Sequence, residues 1–118
     1  MSELQTAPAE LLPVPSDASS IALPLVLIAD ADSSSRSRRR EQLEDRGFRV
    51  ALARTAFEAI VKASCHLPDL ILVDASLGEG MHEATELLST CPATKHIPIV
   101  RLRGGRKLPS RVFAAVRA

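Results

Sequence analysis

From residue 25 onward, short apolar runs alternate with longer mixed segments. Leu25 to Ala29 is continuously apolar and stops at an acid, Asp30; Leu70 to Val73 does the same and stops at Asp74. Such short runs, rich in Val, Ile and Leu, suit strands covered on both faces. Phe48 to Ala53 alternates and predicts another strand, and Ile97 to Leu102 a fourth. Between them lie helical segments. Residues 33–46 lack glycine and proline and end at Gly47, a ready C-cap, with Asp32 or Ser33 as N-cap. Thr55 can cap a helix over 56–66, with Ala56, Ile60 and Ala63 as its stripe, Phe57 and Val61 beside it, and Pro68 ending it. "SLGEG" predicts a loop, followed by a helix over 82–90 with Met81, Ala84, Leu87 and Leu88 inward. "RGGRKLP" predicts another loop, and Ser110 opens a last helix carrying Val112, Phe113 and Val116.

Strand and helix alternate, which predicts an α/β fold of three layers, α/β/α, around a central parallel sheet in the order 2-1-3-4. Ligands of such sheets bind beyond the carboxyl ends of the strands, where Asp30 and Asp74 both fall. The segment 33–46 breaks the pattern. Leu43 is its one large apolar residue, and Ser35, Arg38, Arg39 and Gln42 occupy places where an amphipathic helix carries apolar side chains. Two expectations follow: either the helix packs poorly, or the arginine stems lie over the sheet with their heads in water.

Composition narrows the picture. Of 118 residues, 46% are hydrophobic and 25% charged, which suits one soluble domain. Residues 1–23 contain Pro8, Pro13 and Pro15, several serines and no Lys or Arg, so they lack the basic start of a secretory signal and are expected to be a disordered tail. No apolar run reaches the ~18 residues of a membrane span. Cys65 and Cys91 form no CxxC and are expected as buried or half-buried free thiols in a reducing cytoplasm. His66, His82 and His96 match no metal-site spacing. Charge is lopsided: every charged residue in 1–32 is acidic and every one in 97–118 is basic. With three aromatics in all and no Tyr or Trp, base stacking on nucleic acid is not supported.

Several stretches together resemble a response-regulator receiver domain of the CheY-like kind. "LVLIADAD" is similar to that family's first strand and acid pocket, and "EQLEDRGFRV" to the end of its first helix and its second strand. "PDLILVDASL" resembles the strand that carries the phospho-accepting aspartate, "HIPIV" the fourth strand, and "KLPSRVFAAVRA" the Lys-Pro turn and final helix. The resemblance covers about 24–118. It implies a flavodoxin-like fold and a stand-alone receiver, not an enzyme, that takes a phosphoryl group on Asp74 from a histidine kinase or another signalling protein. It also implies Mg²⁺ held by Asp30, Asp32, Asp74 and Ser76, with Lys107 neutralising the phosphate. Two acids that close should either share a raised pKa or take a cation between them.

The sequence also departs from the family. Ala31 stands where a second adjacent acid is usual, with Asp32 one place late. Arg103 takes the place of the switch Ser or Thr, Gly78 that of a proline, and Leu108 separates Lys107 from Pro109. Arginines stand at 38 and 39 where leucines are usual. Only residues 103–109 lie between Leu102 and Ser110, so the fifth strand is expected to be missing or collapsed. These departures favour an alternative: a pseudo-receiver kept as a phosphorylation-independent interaction module. An enzyme resembling the haloacid-dehalogenase phosphatases would also carry D-x-D, but Ser33 and Ser34 follow here and no later acid pair is present.

Overall fold

The computed structural model describes residues 23–103 and 108–117. The expected tail, residues 1–23, lies outside them except for Leu23. The elements are β1 (Leu25–Ala29), α1 (Ser33–Asp45), β2 (Arg49–Ala53), α2 (Ala56–His66), β3 (Leu70–Asp74), a 3₁₀ turn (Ala75–Leu77), α3 (Glu79–Thr90), β4 (Ile99–Leu102) and α4 (Ser110–Arg117). All strand pairs are parallel and the order is β2-β1-β3-β4. Among the described residues no fifth strand follows β4. No described helix is long and apolar enough to cross a membrane.

The two central strands explain the solid apolar runs. Val26 to Ala29 and Leu70 to Val73 are fully buried, because side chains on both faces are covered. Val26, Ile28, Leu70 and Leu72 point to one face and meet Leu43 of α1 together with Leu108 and Val112 at the C-terminal helix. Leu27, Ala29, Ile71 and Val73 point to the other and meet Ala59 and Ala63 of α2 and Leu88 of α3. Phe113 of α4 stacks on Phe48 at a centroid distance of 6.0 Å, and the Arg46 guanidinium sits 4.2 Å over its ring. That contact fastens the last helix to the end of α1.

Several boundaries differ from the sequence reading. α3 begins at Glu79, three residues early, so the glycine-rich stretch is partly helical. Gly78, at φ 65°, makes the turn into the helix. Gly80 sits within it because α2 passes close: a Cβ there would lie 2.9 Å from Ala56 Cβ. β4 starts at Ile99 rather than Ile97, since Ile97 N–H closes a turn onto Thr94 O. Leu87 is exposed because its neighbour Leu88 takes the inward position, and Phe57 is 75% exposed. Cys65 and Cys91 are free, as expected, but both are exposed.

Candidate functional site at the carboxyl end of the sheet

Register brings the two acids together. Ala29 pairs with Val73, so the next residues, Asp30 and Asp74, stand side by side as their strands end. Both side chains are buried, at 0% and 3% exposure. The fold therefore needs a group that compensates two carboxylates away from water.

That group is Arg39. Its Nη1 donates to Asp30 Oδ2 at 3.1 Å and to Asp74 Oδ1 at 2.6 Å, and the arginine is only 2% exposed. This overturns the expectation that the helix arginines keep their heads in water. Arg38 is exposed, but Arg39 points inward. The reason lies in the helix period. Ser35, Arg39 and Leu43 follow one another at i, i+4, i+8 and are the buried residues of α1. Once Leu43 enters the core, Arg39 must face the sheet one turn nearer the strand ends.

Hydroxyls and backbone amides complete the pocket. Asp30 Oδ1 accepts from Asp32 N and from Ser76 Oγ, both at 2.9 Å. Its Oδ2 accepts from Ser35 Oγ as well as from Arg39. Asp74 Oδ2 accepts Ser76 N at 2.8 Å. Ser76 Oγ in turn accepts Ala31 N at 2.9 Å, which ties the loop after β1 to the loop after β3. Arg36 Nη1 donates to the Asp30 carbonyl at 2.8 Å. Each carboxylate oxygen of Asp30 thus has two donors, close to the capacity of an ionised carboxylate.

The structure brings together Asp30, Asp74 and Ser76, three of the residues read as a metal and phosphate site. Asp32 takes another role. Its Oδ2 caps α1 by accepting Ser35 N at 2.9 Å, and the residue is exposed. Lys107 lies outside the described residues. Sequence reading missed Arg39 and Ser35, although the spacing to Leu43 carried the signal. A cation does settle between the acids, and it belongs to the chain itself.

The donor set does not fit Mg²⁺. A divalent ion bound by carboxylates needs oxygens facing an open coordination shell. Here a guanidinium spans the two carboxylates, and Ser76 donates its hydroxyl rather than offering a lone pair to the pocket. No group of three or more His, Cys, Asp or Glu among the described residues could hold a metal.

No family model matches the sequence, and no curated protein matches it. Solved structures do. The chain superposes on the chemotaxis protein CheY4 of Vibrio cholerae with a TM-score of 0.66 and 27% identity, over 82% of each chain. The N-terminal domain of a response regulator receiver protein from Methanoculleus marisnigri gives 0.66 and 24%, over 80% of each chain. The HemR receiver domain of Leptospira biflexa gives 0.61 and 24%, over 78% of this chain and 75% of that one. Strand order, the strand-end aspartates and these likenesses agree: the chain has the fold of CheY-like receiver domains, with an acid pocket filled by an arginine of its own first helix.

Proposed function

We propose that this chain is a pseudo-receiver: a signalling module that keeps the receiver fold as a docking platform and works without phosphoryl transfer at Asp74. One observation carries the reading, the buried Arg39 guanidinium spanning Asp30 and Asp74. A phosphoryl donor must reach a carboxylate oxygen of Asp74. Oδ1 is held by Arg39, Oδ2 by the Ser76 amide, and the side chain is 4% exposed. Attack by either oxygen must compete with a charge-assisted bond in a low-dielectric site, where such bonds are strongest. A positive charge between the two acids, which a receiver draws from a cation, is here supplied by Arg39 of the chain itself. The solved structures it resembles are receiver domains, which supports a place in signalling and a protein as its partner.

The test is acetyl phosphate with Mg²⁺, followed by intact mass. The expected result is an unmodified chain. A gain of one phosphoryl group that Asp74→Asn abolishes would overturn the proposal and make Asp74 the acceptor. Arg39 would then be the group that meets the phosphoryl oxygens.

A further inference from the structure

The sheet ends at β4, and its outer edge is built to accept another strand. Ile71 N–H donates to Pro98 O, and Ile71 pairs with Ile99. In a parallel ladder this register turns the backbone groups of 98, 100 and 102 toward β3 and those of 99 and 101 away from it. Among the described residues no strand meets that outer row. One of its groups is occupied: Arg111 Nη2 donates to the Arg101 carbonyl at 3.1 Å. A groove of about 560 Å³ follows the edge, floored by Ile97, Ile99 and Val100 and walled by Thr85 and Ser89 of α3 and by Arg111. β2, at the opposite edge, carries a comparable plug, Lys62 Nζ on Leu52 O. What distinguishes the β4 edge is the groove together with its charge, since Arg101 and Arg111 both line it, Arg103 is exposed at the end of the strand, and no acid is among the described residues that line the groove.

We infer that the β4 edge docks an extended, acidic segment of a partner protein, which adds to the sheet as a further strand. Backbone bonds to Ile99 and to Arg101 N–H supply the pairing, and apolar side chains of the guest lie over Ile99 on the face toward α3. Carboxylates of the guest, on the opposite face, meet Arg111, and Arg101 and Arg103 add to the positive charge of the edge. Arg111 then exchanges a neutral carbonyl for a charged acceptor, the stronger bond, and so uncovers the Arg101 carbonyl. A second copy of this chain is disfavoured, because its β4 edge carries the same positive charge, Arg101 with Arg111. The inference goes beyond the pseudo-receiver reading by naming the partner's chemistry, and its geometry is independent of Asp74.

The test uses the full isotope-labelled chain titrated with a short, end-blocked peptide alternating valine and glutamate. Amide shifts are expected at Ile99 and Arg101 and along Thr85 and Ser89. The double variant R101E/R111E should bind about tenfold more weakly or worse, and a peptide N-methylated on its pairing edge should not bind. Absent shifts, shifts elsewhere, equal binding of a valine–lysine peptide, or undiminished binding of the methylated peptide would overturn the inference. So would a concentration-dependent dimer, seen by sedimentation, that buries Ile99 to Leu102. Asp74→Asn should bind the peptide unchanged. If acetyl phosphate modifies Asp74 while the peptide still binds, the pocket reading fails and the edge inference stands.

Discussion

α2 meets the sheet through Ala59 and Ala63, whereas α1 meets the opposite face through Ser35, Arg39 and Leu43. The first contact is small, apolar and close. The second is an ion pair and hydroxyl network with a single leucine at its end. Both helices have a side-chain N-cap, Thr55 on Glu58 N and Asp32 on Ser35 N, so local helix chemistry does not separate them. The difference is what lies beneath: β1 and β3 bury two carboxylates, and the helix that passes over them must bring the counter-charge. A helix with a weak apolar stripe can therefore still be tightly docked if it closes a charge balance in the sheet.

The largest expected effect breaks the α1 side. Arg39→Leu leaves Asp30 and Asp74 buried without their cation and should cost about 3–5 kcal/mol, read as a lower denaturant midpoint. An equal or raised midpoint would mean that Leu43 alone holds the helix. On the α2 side, Gly80→Ala forces a methyl against Ala56 Cβ and should cost about 1–3 kcal/mol by the same measurement. A neutral result would show that the α2–α3 contact relaxes easily. Asp32→Ala and Thr55→Ala should each cost about 1 kcal/mol. Near-equal values would confirm that the two helices differ in docking and not in capping.

The smallest effect concerns pH. Glu58 accepts the Arg54 backbone N–H at 2.7 Å, and this bond, with the Arg54 charge nearby, holds its carboxyl below the ordinary 4.5. A lowered folded-state pKa gives stability that is present above 4.5 and is lost as pH falls through the folded value. Glu58→Gln should thus be slightly less stable than the parent at neutral pH, with the gap closing in acid. A gap that persists in acid would assign the loss to something other than the carboxylate.

The strands and their order were legible because β1 and β3 are buried on both faces and so cannot hide in a mixed pattern. Asp30 and Asp74 were legible because each ends such a run. Arg39 was not. Its inward position follows from Leu43, but an arginine at an inward position makes sense only when two acids, 9 and 35 residues away in the chain, are known to meet it. The start of α3 was obscured by Gly78 and Gly80, which weaken a helical signal even where close packing against Ala56 requires a glycine. Asp32 offered two roles by spacing alone, and the structure gives the cap.

Arg39 also bears on the order of assembly. Its partners are contributed by two strands that become neighbours only through a crossover, so the guanidinium gains its shorter bond, to Asp74, only when β1 and β3 lie side by side. Before that moment, Asp30 alone offsets the cost of moving it out of water. The inner face of α1 is therefore expected to complete late in folding, a prediction that chevron kinetics of Arg39→Leu would check. Arg39→Leu should then raise the unfolding rate more than it lowers the folding rate, so that the residue sets how long the native chain lasts more than how quickly it forms; an equal loss in the folding rate would place the contact in the transition state.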